Sequence, residues 1–157
     1  MSQESFTMCM IFIAEAEWSN RDDGGYTNNP ADPGGETKYG ISKKAYPTLD
    51  IKNLKKPDAY ALYYRDYWLP SGADLLAFPL AAEVFDCAVN QGVGRSQQFL
   101  KETDNWRAFS SLRRVFYLDL IVKNPKLGVF KNGWLNRLNR LENFILCHVP
   151  MVQPDGI

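Results

Sequence analysis

The sequence predicts a mainly α fold with one small irregular or β-hairpin lobe after the first helix. Two observations carry this. Apolar residues recur at helical spacing in most of the chain, and proline and glycine are concentrated in the stretch from Tyr26 to Ile41, where Pro30, Pro33, Gly34, Gly35 and Gly40 forbid a helix.

The first helix is expected over Ser5 to Trp18, with Phe6, Met10 and Ile13 on one stripe and Met8, Ile11 and Phe12 covering a second face, so that the helix is largely buried. The polar run from Ser19 to Gly25 ends it. Tyr26 to Ile41 then reads as a long structured loop, a length that inside a compact domain points to function. Pro57 is expected at the first position of a helix running from Asp58 to Trp68, packing Tyr60, Leu62, Tyr63, Tyr64 and Tyr67. Pro79 opens a central buried helix with the stripe Ala81, Val84, Phe85, Ala88, widened by Leu80 and Cys87 and closed by Gly92 and Gly94. Shorter helical patterns follow over Arg95 to Glu102 and Phe109 to Val122, the latter ended by Asn124-Pro125. The last runs from Gly133 to Leu146, with Trp134, Leu138, Leu141 and Ile145 on one face.

Composition excludes several classes. With 157 residues the chain is one domain's worth, and 45% hydrophobic against 23% charged residues excludes disordered and collagen-like readings. Eighteen Lys and Arg balance eighteen Asp and Glu, so the counterion-release drive for general nucleic-acid binding is missing. No apolar run reaches the ~18 residues of a spanning helix. Cys9, Cys87 and Cys147 are odd in number with no CxxC spacing, which predicts buried thiols in a reducing compartment instead of disulfides or a zinc site. His148, the single histidine, has no Cys or acidic partner at ligand spacing, so neither a metal site nor a His-based triad is expected. Gly92-Val93-Gly94-Arg95 follows a helix, not a strand, and reads as a helix junction.

Only one stretch concentrates acids, a hydroxyl and glycines: Glu15 to Trp18, Asp22 to Tyr26, and Asp32 to Ile41. Paired carboxylates suit glycoside hydrolysis, which needs one carboxylic acid kept protonated to donate to the leaving oxygen and a second carboxylate to steady positive charge or activate water. Phe6, Met10, Ile13 and Glu17 fall at i, i+4, i+7 and i+11, which puts the Glu17 carboxyl on the apolar stripe beside Trp18 and predicts a protonated donor. An ordinary helix-terminal glutamate has the same spacing. Asp23 lies in a solvated turn and is expected ionised. Asp32 and Thr37, across the Pro33-Gly34-Gly35 turn, make a pair able to hold a nucleophilic water, although Asp before Pro-Gly is also ordinary turn chemistry. The tyrosines from Tyr60 to Tyr67 read mainly as core.

The run Gly24-Gly25-Tyr26-Thr27-Asn28-Asn29-Pro30-Ala31-Asp32-Pro33-Gly34-Gly35-Glu36-Thr37-Lys38-Tyr39-Gly40-Ile41-Ser42 resembles the signature of glycoside hydrolase family 108, the lysozyme-like N-acetylmuramidases of phage endolysins and bacterial secretion activators. Tyr64-Arg65-Asp66-Tyr67-Trp68 and Phe85-Asp86-Cys87-Ala88-Val89-Asn90-Gln91-Gly92 look like its second and third blocks. Phe130 to Arg137 is similar to the Gly-Trp-Leu-x-Arg block of the helical peptidoglycan-binding region that usually follows.

The resemblance implies a lysozyme-like fold, with a muramidase region over 1–92 and a helical peptidoglycan-binding-like region over 93–157 packed on the same core. The implied activity is hydrolysis of the β-1,4 bond between N-acetylmuramic acid and N-acetylglucosamine, with no metal or cofactor. Peptidoglycan glycan strands are the expected partner, without nucleic acid or stable membrane association, and the chain is expected monomeric. Family members carry a glutamate as general acid directly before Gly-Gly-Tyr, where this sequence has Asp23. Either Trp18 to Asp23 is an insertion and Glu17 keeps the role, the preferred reading, or Asp23 replaces the acid with a side chain one methylene shorter. Asp32 and Thr37 match family positions directly, and Tyr26, Tyr39 and Asn90 are expected to line the saccharide cleft. Phe6 to Ala14 lacks a preceding Lys or Arg and runs into Glu15 and Glu17, which argues against a secretory signal. The expectation is a phage endolysin held in the host bacterial cytoplasm until its release to the cell wall, or a virion-associated enzyme. The rival expectation is a non-catalytic wall-binding or virion structural module on a degenerate lysozyme fold.

Overall fold

Helix α1 spans Ser2–Trp18 and presents Phe6, Met10 and Ile13 to the interior, the stripe that the spacing predicts, with Cys9 buried beside them. In the computed structural model residues 2–149 are described; Met151 and Val152 among others lie outside them. The fold is mainly α and lysozyme-like, with one two-stranded antiparallel sheet, β1 (Thr37–Lys38) and β2 (Ile41–Ser42). Helices α2 (Lys56–Tyr63), α3 (Leu69–Ser71), α4 (Leu80–Gln91), α5 (Val93–Leu100), α6 (Trp106–Lys123) and α7 (Lys131–His148) follow.

Helix α4 is the axis of the molecule. Every residue from Ala81 to Ala88 is buried, and its neighbours include α1, α3, α5 and α6. One apolar cluster joins Phe6, Met10 and Ile13 of α1 to Trp68, Val84 and Phe85, and continues to Phe99, Phe109, Leu141 and Ile145. Residues before and after position 92 therefore share a single core. Phe6 sits at the aromatic centre, edge-on to Tyr64 and Trp68 with ring centroids 5.0 and 5.5 Å away.

Several elements differ from the expectation. The helix expected to run from Asp58 to Trp68 begins at Lys56 and passes at Tyr64–Trp68 into a π turn, with Leu69 donating to the Tyr64 carbonyl, before α3 ends at Gly72. The wider turn carries three large aromatic residues, Tyr64, Tyr67 and Trp68, and turns Trp68 fully inward. Gly94 does not close α4; it lies in the first turn of α5, and Gly92 alone, at φ 97°, makes the corner. Helix α1 is less buried than expected, because Ile11 is 57% exposed. Cys9 and Cys87 are buried as expected, while Cys147, on the outer side of the last turn of α7, is exposed.

The lobe after α1 is held by few contacts. Thr27 and Thr37 exchange both backbone hydrogen bonds at 2.9 Å, and β1 turns into β2 through Tyr39 and Gly40, at φ 52° and 72°. The Tyr39 ring packs edge-on against Trp18 with centroids 5.5 Å apart, and the Tyr63 hydroxyl donates to the Tyr39 carbonyl at 3.0 Å. The hairpin tip is thus pinned to the C-terminal end of α1 and to α2. Glycine is required at the tip: a Cβ at Gly40 would lie 2.4 Å from the Tyr63 hydroxyl and 3.0 Å from the Glu17 Cβ, on a left-handed backbone. Gly40→Ala is expected to destabilise the protein by about 2–3 kcal/mol and to lower Tm by roughly 5–10 °C in a thermal melt, with the far-UV helical signal of the folded state retained.

Candidate active site

Three helices bury charged residues on stripes that are otherwise apolar. On α4, Glu83 and Asp86 are enclosed; on α6, Arg113 lies between Phe109 and Tyr117; on α7, Arg137 sits one turn from Trp134 and next to Leu138. They form one hydrogen-bonded chain. The Arg113 guanidinium donates to Glu83 Oε2 at 2.9 Å, to Asp86 Oδ2 at 2.7 Å and to Gln91 Oε1 at 2.7 Å. Arg137 donates to Asp86 Oδ1 through Nη2 at 2.8 Å and through Nε at 3.1 Å, and its Nη1 reaches Glu17 Oε1 at 2.7 Å. The chain runs Glu83–Arg113–Asp86–Arg137–Glu17. Side-chain exposure rises along it from 0% at Glu83 to 12% at Arg137 and 23% at Glu17, so it leads from the centre of the core to the surface.

Burial alone would raise the Asp86 carboxyl, but Arg137 and Arg113 outweigh it and hold the group below the usual carboxylate range. Glu83 has only Arg113, and one of its oxygens has no hydrogen-bond partner; burial pushes its carboxyl up to about 7. With Glu83 protonated, the fully buried part of the cluster carries one anion, Asp86, against one enclosed cation, Arg113, a balance that a low-dielectric interior favours.

Glu17 lies in the last turn of α1, against Gly40 of the hairpin tip, with Tyr63 and Tyr67 nearby. The apolar seat expected for it is corrected here: the side chain is half-buried and its immediate neighbour is the Arg137 cation. Arg137 arrives from a position 120 residues later in the chain, and so the short-range spacing around Glu17 gave no sign of it. Asp23 is exposed. It accepts from the Gly25 backbone N–H at 2.8 Å and from Arg21 at 2.7 Å, and these bonds hold its carboxyl below the ordinary range.

The other expected site residues are distributed as follows. Asp32 caps its own turn, Oδ1 accepting from the Gly34 N–H at 2.9 Å and its carbonyl from Gly35. Thr37 stands in β1 opposite Thr27, its hydroxyl directed to the Gly35 carbonyl at 3.4 Å. The Tyr26 hydroxyl donates to Glu36 at 2.7 Å. Tyr39 is buried against Trp18, so it builds the lobe and does not offer a ring face to a ligand. Asn90, at the end of α4, accepts from the Tyr117 hydroxyl. Glu17, Tyr39 and Gly40 are thus brought together, while Asp23, Asp32 and Tyr26 each close a separate bond within the lobe and Asn90 is bonded to Tyr117 of α6.

Depressions flank α1, and Glu17 is not among the residues that line those beside Phe6, Met8 and Phe12. One of about 630 Å³ lies between its first half and α2, among Phe6, Thr7, Lys56, Tyr60 and Tyr64. One of about 430 Å³ lies toward α7, among Ile11, Phe12, Arg140 and Phe144. Among the described residues there is no group of three or more His, Cys, Asp or Glu arranged to hold a metal ion, and no helix is long and apolar enough to cross a membrane.

Sequence reasoning missed Arg137, Asp86, Arg113 and Glu83. The signal was present: each is a charged residue at a core position of a helical stripe, and a buried charge requires a partner of opposite sign on a facing helix.

Residues 16–92 match the family model described as Glycosyl hydrolase 108. The matched span holds Glu17, the whole hairpin lobe and Asp86, and stops short of Arg113 and Arg137. The structure is similar to that of Brucella abortus SagA, with a TM-score of 0.63 at 22% identity over 92% of this chain and 95% of that one, a likeness of fold. No curated protein matches the sequence.

Because the Glu83 carboxyl is raised from 4.5 to about 7 on folding, the native state binds the extra proton between those values. Its contribution to stability is complete below about pH 4.5 and is lost as pH rises through 7. Glu83→Gln is expected to remove this slope: unfolding free energies from urea melts between pH 5 and 8 should fall less for the variant than for the native protein, by an amount on the order of 3 kcal/mol at most.

Proposed function

We propose that this protein is a peptidoglycan hydrolase, an N-acetylmuramidase cleaving the β-1,4 bond between N-acetylmuramic acid and N-acetylglucosamine, with Glu17 as the general acid. The observation that carries the reading is the position of Glu17, in the last turn of α1 against the tip of the glycine-rich hairpin, inside the span that matches a glycosyl hydrolase family. A proton donor must stand beside the glycosidic oxygen while a second group serves the opposite face of the sugar. The helix terminus supplies the carboxyl, and Asp32 and Thr37, both carried by the lobe whose tip meets Glu17, are the groups we assign to the opposite face.

In the proposed reaction the sugar lies between the end of α1 and the lobe, Glu17 gives its proton to the leaving oxygen, and Asp32 and Thr37 position water or steady the developing positive charge. For Asp32 this means giving up or sharing the bond to the Gly34 N–H. Tyr26 offers a hydroxyl and a half-buried ring at the lobe. Asp23 is a poor donor on this reading, since its bonds to Gly25 and Arg21 favour the charged form. We assign the region from 93 onward a share in glycan-strand binding as well as the burial of α4.

A second reading has its own observation. The residue directly before Gly24-Gly25 is an exposed aspartate paired to Arg21, and Asp32 caps a turn. Both suit a wall-binding module that keeps the fold without the chemistry.

Release of reducing ends from purified peptidoglycan decides between the two. Glu17→Gln is expected to reduce the rate by about 100-fold or more, whereas Asp23→Asn stays within a few-fold of the native protein. Wall sedimentation unchanged in both, with no reducing ends released by the native protein, establishes the binding module instead.

A further inference from the structure

We propose that Asp86 is a positioning residue for Glu17, acting through Arg137: it keeps the guanidinium satisfied so that Glu17 can take up and give back a proton without leaving a buried cation unpaired. This deepens the proposed hydrolytic reading and rests on it for the role of the proton.

The geometry argues as follows. A lone Arg137–Glu17 pair would favour a permanently ionised glutamate, because protonating it would strand a guanidinium that is 12% exposed. Arg137 is not in that position. It gives Nε and Nη2 to Asp86 and only Nη1 to Glu17, so when Glu17 is protonated the guanidinium loses the charge of one partner and keeps the Asp86 carboxylate as its counter-ion. Asp86 can serve as this second partner only if it stays charged and does not move. Arg113 ensures both, by bonding its other oxygen from the opposite side at 2.7 Å, and Arg113 is itself fixed by Glu83 and Gln91. The fork of a guanidinium is suited to this sharing, since its donors point at two carboxylates at once.

Glu17 is faced by Arg137 from α7, by Tyr63 and Tyr67 from the α2 and π-turn segment, and by the uncharged Gly40 from the hairpin, with Asp86 of α4 behind Arg137. The two tyrosines are both raised by burial and stay neutral at ordinary pH. The charged groups on this side of Glu17 are therefore Arg137, in contact with it, and Asp86 behind, of opposite sign.

Carbon-detected NMR of the full chain, with the Glu17 carboxyl resonance assigned by its absence in Glu17→Gln, reads that protonation directly. Asp86→Asn is expected to move the Glu17 titration midpoint to lower pH, because Arg137 turns wholly to Glu17. Arg137→Gln is expected to move it to higher pH. Each shift should be about one pH unit. The high-pH limb of glycan cleavage should follow the midpoint in each variant. A role of Asp86 in core stability alone would lower Tm in both variants without displacing the midpoint in opposite directions. Midpoints that stay in place, or that move the same way in both variants, overturn the proposal. If Asp86→Asn does not fold, the double variant Asp86→Asn with Arg113→Gln removes one anion and one cation together, and the same downward shift is expected of it. The titration is independent of turnover. A native protein that cleaves no glycan therefore overturns the hydrolytic reading, while the midpoints still decide the relay.

Discussion

Two guanidiniums inside the helical body fix the architecture. Arg113 and Arg137 come from α6 and α7, and between them they hold Glu83 and Asp86 of α4 and Glu17 of α1. Apolar packing alone tolerates sliding and rotation of one helix on another, since its energy changes little with small displacements. Charge-assisted bonds at 2.7 to 2.9 Å do not, and a buried ion left without its partner costs several kcal/mol. The cluster therefore fixes which faces of α1, α4, α6 and α7 meet and at what height.

The same cluster explains why Glu17 sits where it does. A glutamate in the last turn of a helix has no favourable interaction with the helix dipole, whose C-terminal end is negative. The Arg137 guanidinium supplies the compensating charge. The hairpin tip then closes over the other side, with Gly40 allowing an approach that any side chain would block, and Tyr63 binding the adjacent carbonyl. One carboxylate is thus placed between a cation from the C-terminal helix and a backbone turn from the lobe.

Most of the helical framework was legible in the sequence because it rests on local rules. The stripe Phe6, Met10, Ile13 is buried as its spacing requires, the run around Pro30 to Gly40 forms an irregular lobe with a hairpin, and α4 is the most enclosed helix. The π turn at Tyr64–Trp68 was not legible, because it depends on where Trp68 finds room among Phe6 and Phe85 and not on the propensity of the segment. The site was legible in its location and not in its electrostatics. Glu17 belongs to an apolar stripe by spacing, and that stripe does contact the core, yet the group against its carboxylate comes from Arg137. Likewise Asn90 and Tyr39 look like cleft residues when read along the chain, and are taken up by Tyr117 and Trp18 once the chain is folded.

The long separation between Glu17 and Arg137 has a consequence for how the site forms. Contacts between distant parts of a chain are made only after the loop between them is closed, and the intervening segment here includes α4, α5 and α6. Arg137 meets Glu17 in the arrangement in which Asp86, bonded on its other side by Arg113, shares the same guanidinium, so the pairing of Glu17 depends on the packing of α4, α6 and α7 together. A chain ending at position 92, where the matched family region stops, would keep Glu17, the lobe and Asp86 but would lack Arg113 and Arg137, the cations to which Glu83, Asp86 and Glu17 are bonded. The segment from α5 to α7 is for this reason part of the same folding unit as the lobe it helps to position.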